Sequence, residues 1–216
     1  LGTIALKSES SPTDSLHSLE KLSDRRTPTS HHTYNSSYIT ERNIVRDIPY
    51  LLEHTPSLVA TSEGGLGIGA TNFRIRGMYS DAINVTLNGI QLVSPDSRQM
   101  QWHHLPDFAS SIRQISITRG AGSSTRGTYA YGASIDLNSE SPGAKPYGDV
   151  SVMGGSLGTI KASISAGTGT MKNGTSIDLR MAKIISNGYI DRAGSNQNAI
   201  MLSTMWRGKN NSLNTN

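Results

Sequence analysis

The chain of 216 residues carries 20 Lys+Arg against 16 Asp+Glu, a formal charge of +4 and a pI of about 9.4, a basic excess too mild for a nucleic-acid-binding surface. Charged residues make up 17% and Gly 22 positions; against a usual charged share of about 25%, this favours strands and turns over long charged helices. No run of about 18 apolar residues occurs, which excludes a membrane-spanning helix but not a spanning β-barrel, and the lack of cysteine excludes a disulfide framework, a thiolate metal site and a Cys nucleophile.

Leu1 stands where Met would, with no basic-then-apolar leader after it, as expected of a fragment or of a chain whose signal peptide is removed or lies outside it. Residues 1–38 are rich in Ser, Thr and charge, and read as disordered or extended. Their one apolar stretch is Leu1-Gly2-Thr3-Ile4-Ala5-Leu6. Order is expected from about Thr40. Asp47 as N-cap, Pro49 in the first turn and Ile48, Leu51 and Leu52 at helical spacing predict a short helix that ends before Pro56. A loop with Gly64, Gly65, Gly67 and Gly69 follows. The period then changes to two, in strands around Phe73 and Ile75, around Ile83, Val85 and Leu87, around Ile115 and Ile117, and around Ile135 and Leu137. Between them Pro106 opens a second short helix with Phe108 and Ile112 four apart.

After Pro146 only alternation survives: Val150 and Val152; Ile160, Ala162, Ile164 and Ala166; Ile177, Leu179 and Met181; Ile200, Leu202, Thr204 and Trp206. A tight Asn173-Gly174 turn, a longer polar stretch over 186–198 and a turn over 208–212 give the short-long-short connectivity of an outer-membrane barrel. About four strands fit in this segment, whereas a closed membrane barrel needs at least about eight.

Several signals could carry chemistry. Gly65-Leu66-Gly67-Ile68-Gly69-Ala70 has the spacing of a dinucleotide fingerprint, but a strand-period segment follows where the phosphate-binding helix should be. His103-His104 and His31-His32 could ligate a metal or be ordinary loop histidines, since no further ligands complete a shell. No G-x-S-x-G elbow supports nucleophilic catalysis. Arg74, Arg76 and Arg119 either await carboxylate partners or form a solvated basic face.

Five segments in order resemble the plug domain of TonB-dependent outer-membrane receptors, in the style of Bacteroidetes-type members: Asp47-Ile48-Pro49-Tyr50-Leu51-Leu52-Glu53 with Thr55-Pro56-Ser57; Phe73-Arg74-Ile75-Arg76-Gly77; Asn84-Val85-Thr86-Leu87-Asn88-Gly89; Ile115-Ser116-Ile117-Thr118-Arg119-Gly120; and Tyr131-Gly132-Ala133-Ser134-Ile135-Asp136-Leu137. The resemblance implies a flexible segment over 1–38 and an α+β plug over 39–142, a small mixed sheet with short helices. Over 143–216 it implies the first antiparallel strands of an incomplete transmembrane β-barrel. Arg76 and Arg119, with Arg74, would anchor the plug to glutamates of the barrel wall. Leu1, Ile4 and Leu6 would form the TonB box, although Ala5 and Lys7 depart from its usual Val-rich run. The implied function is energised uptake of a scarce nutrient such as iron–siderophore, haem or cobalamin, with oligosaccharide also open. The partners implied are TonB, outer-membrane lipid and a small ligand, with no cofactor, metal site or enzymatic step. Weaker expectations place ligand contacts at Gly67, Trp102, His103 and His104, on the loops 62–72 and 96–104. The alternative is a soluble periplasmic plug-like binding or signalling module.

Overall fold

The computed structural model describes residues 30–121, 130–139, 141–208 and 212–215. Order begins earlier than Thr40. Strand β1 (Ser30–Tyr34) pairs antiparallel with β6 (Ile112–Arg119), and helix α1 (Ser36–Arg42) follows, its first turn capped by the Asn35 side chain accepting from the Tyr38 amide. Residues 30–38 therefore belong to the folded unit rather than to a loose tail. The TonB-box expectation at Leu1, Ile4 and Leu6 lies outside the described residues.

Helix α2 (Ile48–Leu51) is the short helix expected after Asp47, and it buries Ile48, Pro49 and Leu51. The Gly-rich loop joins two antiparallel strands, β2 (Leu58–Ser62) and β3 (Thr71–Ile75), so a strand follows it and the dinucleotide reading fails. The main sheet runs β1-β6-β7-β4-β5, where β4 is Ile83–Leu87, β5 Ile90–Gln91 and β7 Ala133–Ser139; only the β4–β7 pair is parallel. Its core face presents Val85, Ile115, Ile117, Ile135 and Leu137 to Ile39, Leu52, Phe73 and Trp102, all buried. The helix expected from Pro106 is a single 3-10 turn, Phe108–Ser111, because Asp107 takes left-handed geometry (φ 51°) and Ile112 already begins β6.

The second sheet is an antiparallel meander of β8 (Tyr147–Gly154), β9 (Ile160–Gly167), β10 (Thr175–Ser186), β11 (Ser195–Arg207) and β12 (Ser212–Thr215). Among the described residues β8 and β12 are paired on one side only, so this is an open sheet. The turn at Asn173 and Gly174 is a four-residue turn from Met171, with Gly174 in the left-handed region (φ 80°). A Cβ at Gly174 would lie 2.2 Å from the Arg207 carbonyl oxygen, which reserves the position for glycine.

The pleat sends alternate residues to opposite faces. Lys161, Arg180, Ala182 and Ile184 face the α+β unit and are wholly or largely covered. On the opposite face Val150, Ile164, Met181 and Ile200 lie in one cross-strand row and are exposed, Val150 at 71% and Ile200 at 73%.

Candidate functional site

The two units meet at a carboxylate. Asp107 projects from the α+β unit with its side chain 1% exposed, and its Oδ1 accepts from Lys161 Nζ at 2.5 Å while its Oδ2 accepts from Arg180 Nη2. Arg180 also donates to the Asp107 carbonyl (3.1 Å) and to Ser111 Oγ (2.6 Å). Ser110 Oγ donates to Oδ1 (2.7 Å) and accepts from Asn43 Nδ2 (2.6 Å). One carboxylate of the α+β unit is thus shared by a cation on β9 and another on β10, with the Ser110 hydroxyl as a further donor, and the set of three carries a net charge of +1. Lys161 is itself only 3% exposed, so removing the shared Asp107 carboxylate leaves an unpaired buried cation, which costs about 3–5 kcal/mol.

Beside this cluster runs a cleft of about 620 Å³ between α1 and the inner wall, lined in part by Ser36, Ser151, Ser163, Ser165, Asp149 and Asp178. Hydroxyls and carboxylates give the interface a polar seam rather than an apolar core. Among the described residues no group of three or more His, Asp or Glu forms a metal cluster.

A second junction lies at the Gly loop. Asp47 sits at the N-terminus of α2 as expected, yet its side chain does not cap the helix. Instead its Oδ2 accepts from the Gly69 amide (3.0 Å) and Thr71 Oγ1 (2.9 Å), while its own amide donates to the Gly67 carbonyl (2.8 Å). Burial pushes the Asp47 carboxyl up to about 6, against the smaller lowering effects of the Thr71 and Gly69 hydrogen bonds. The clamped loop reaches the wall. The Tyr189 amide donates to the Gly64 carbonyl (3.4 Å), and a Cβ at Gly65 would meet the Tyr189 side chain at 3.2 Å. The connection between β10 and β11 therefore rests on the Gly loop.

The arginines singled out from sequence divide. Arg74 is on the exposed face of β3, its guanidinium 4.3 Å from the Tyr79 ring centroid. Arg76 has left the strand (φ 52°), so it does not share a sheet face with Arg74; its amide donates to the Ser57 carbonyl (2.9 Å). Arg119 donates through Nη1 to the Pro56 carbonyl (3.0 Å) and through Nη2 to Ser30 Oγ. Arg76 and Arg119 thus converge on the Pro56-Ser57 turn, and Arg76 Nη1 lies 3.0 Å from where a Gly120 Cβ would be.

Of the expected ligand contacts, Gly67 is on the Gly loop, where the Tyr50 ring fills the space a Cβ would need (2.8 Å). Trp102 is 1% exposed and packs on Phe73 with ring centroids 5.7 Å apart, so it is a core residue rather than a contact surface. His103 and His104 are exposed and stack on each other edge-on at 4.2 Å. His31 and His32 lie in β1, where His31 Nδ1 is 3.1 Å from Thr118 Oγ1. Sequence reasoning missed Asp107, Lys161 and Arg180. The available signal was two cations on the polar phase of strands whose other phase is apolar, which marks them as inward-facing.

Residues 23–134 match the family described as TonB-dependent Receptor Plug Domain. No curated protein matches the chain significantly. Among solved structures it is similar to FpvA of P. aeruginosa in complex with iron and a heterologous pyoverdine (17% identity, TM-score 0.70, 85% of this chain and 24% of that one). It is also similar to the siderophore receptor PiuA from Acinetobacter baumannii (18% identity, TM-score 0.65, 83% and 24%). A third is the ferric-catecholate import receptor Fiu from E. coli K12 (15% identity, TM-score 0.65, 83% and 25%). The chain spans about a quarter of the length of these structures. At such identities the likeness is one of fold, and it does not single out a Bacteroidetes-type subset.

Proposed function

The chain belongs to the TonB-dependent receptor plug-domain family, and from that premise we propose that it forms the plug and first wall strands of an outer-membrane receptor for energised uptake of a scarce nutrient. Such a receptor binds and moves its cargo and performs no covalent chemistry. The observation that carries the reading is the buried Asp107–Lys161–Arg180 cluster, which seats an α+β domain against the covered face of a meander whose other face is apolar and exposed.

The dimensions of that face support a membrane wall. From the Thr175 row, which holds Trp206 and Leu213, to the Ile185 row, which holds Ile160, is 185 − 175 = 10 residues. At ~3.4 Å per residue and a tilt of ~40° this gives about 26 Å of height, matching the apolar band of outer-membrane barrels. In this arrangement the Met171–Gly174 turn faces the periplasm, as does the N-terminus, and the β10–β11 connection faces outward. The lumen would close with further strands pairing at β8 and β12.

Uptake then requires mechanical displacement of the plug, because a lumen filled by a packed domain has no open path. TonB would pair with residues 1–6 by strand addition, with Leu1, Ile4 and Leu6 as contacts, and traction would have to release anchors including Asp107. Arg74, Arg76 and Arg119 would meet carboxylates of wall strands beyond those described. The ligand would rest on the Gly67 loop and the exposed His103-His104 pair. The siderophore and ferric-siderophore receptors among the similar structures favour an iron–siderophore, ahead of haem or cobalamin. A soluble plug-like module is disfavoured because it would leave the apolar row from Val150 to Ile200 in water.

The test is iron-limited growth of cells whose sole ferric-siderophore receptor is the full protein. Deleting residues 1–6 is expected to abolish uptake while surface binding of the siderophore persists. Undiminished uptake would overturn the TonB-coupled mechanism.

A further inference from the structure

Among the described strand residues, the outward wall face carries one cation, in an otherwise apolar neighbourhood. Lys183 lies on β10 between Met181 and Ile185, and its Nζ donates to Asn198 Oδ1 (2.8 Å), its direct partner across the β10–β11 ladder. Among the described residues no carboxylate pairs with it. On its other side the ladder partner is Ala162. That small side chain floors a groove of about 470 Å³ walled by Val150, Val152, Ile164, Met181 and Ile200, with Lys183 and Asn198 at its head.

The level of the lysine matters. It lies 183 − 175 = 8 residues above the Trp206 row, about 27 Å along the strand and ~21 Å in height at a tilt of ~40°, close to the outer edge of an apolar band ~25 Å tall. A wall-facing Lys costs about 2–4 kcal/mol at the bilayer midplane but ~0–1 near the interface, and its stem can lift the ammonium to headgroup level. Asn198 has its carbonyl engaged, leaving the amide NH₂ to donate.

We propose that this groove is a binding site for a phosphate-headed lipid of net negative charge in the outward-facing leaflet, one acyl chain lying over Ala162 and the phosphate accepting from Lys183 Nζ and Asn198 Nδ2, so that a zwitterionic head, which brings its own cation beside the lysine, is held less well. The inference rests on the reading of the meander as a membrane wall. It goes beyond general lipid contact, because it names a headgroup charge and a slot.

The full receptor is reconstituted into nanodiscs with equal dioleoyl-phosphatidylglycerol and dioleoyl-phosphatidylcholine, released, and its retained lipids counted by native mass spectrometry. The wild type is expected to retain phosphatidylglycerol over phosphatidylcholine by about fivefold, the ratio for one basic contact at an anionic membrane surface. K183Q should bring the ratio near one and K183R should keep it. A162F, which fills the slot, should lower retention of both lipids. Circular dichroism and heat-modified gel mobility confirm that each variant is folded. An inserted wild type without preference, or K183Q with the wild-type ratio, overturns the lipid site alone. A folded receptor that enters no nanodisc and retains no lipid overturns the wall reading itself.

Discussion

Replacing Asp47 by Asn isolates the buried carboxyl at the Gly loop. The folded carboxyl titrates at about 6 against an ordinary value of 3.8, raised first by burial. A raised folded pKa means that the folded loop holds the proton more tightly than the opened one. The associated stability is therefore fully present below pH 3.8 and is lost as pH rises through about 6. The difference of about 2.2 pH units corresponds to ~3 kcal/mol as a ceiling, or about a hundredfold in local opening. Hydrogen exchange of the Gly69 amide, which donates to Asp47 Oδ2, reads that opening once corrected for intrinsic rate. Protection should be greater at pH 4 than at pH 7.5 by up to that factor. D47N offers the same acceptor without a titrating proton, so its protection should be flat over this range and exceed the wild type at pH 7.5. Protection that increases from pH 4 to pH 7.5, or an unchanged slope in D47N, would refute the reasoning.

The other expectations concern the junctions and the core. D107A strands Lys161 in a buried site and should weaken plug seating by about 3–5 kcal/mol, read as faster protease cleavage of the plug, whereas D107L/K161M/R180M should recover most of the loss. G174A combines a left-handed backbone with a Cβ 2.2 Å from the Arg207 oxygen, so the fraction of receptor reaching the heat-modifiable folded form should fall sharply. W102A empties a fully buried site and should cost about 3–5 kcal/mol in denaturant unfolding. H103A/H104A should change stability by less than about 0.5 kcal/mol, while siderophore affinity falls if the exposed pair touches ligand; unchanged affinity would remove it from the site.

Much of the architecture was legible because it is periodic. The strands around Phe73, Val85, Ile117 and Ile135 alternate cleanly, and so do the wall strands, whose apolar phase proved to be the exposed one. Ser30–Tyr34 and Leu58–Ser62 were not legible. The first is polar except for a buried Tyr34, whose hydroxyl reaches Thr55 (2.7 Å), and its strand state comes from pairing with β6 far along the chain. Trp102 was misread as a surface residue because a tryptophan between Gln101 and two histidines has polar sequence neighbours, while its packing partner Phe73 is non-local. The Asp107 cluster was invisible for the same reason, its partners lying 54 and 73 residues away. Asp47 shows a local rule yielding to a tertiary one: the N-cap position was legible, but the carboxylate is spent on the loop instead of the helix.

Site-directed spin labelling along β10 tests the central claim most directly: these 216 residues hold no cysteine, and single cysteines are placed at Leu179 through Lys183 in a full receptor freed of any other cysteine. The account predicts a period of two. Labels at Leu179 and Met181 should be accessible to lipid-dissolved oxygen and shielded from a water-soluble nickel reagent, and labels at Arg180 and Ala182 should show the reverse or no access. Nickel access at Leu179 and Met181 in the membrane-reconstituted protein would contradict the wall, and with it the plugged receptor.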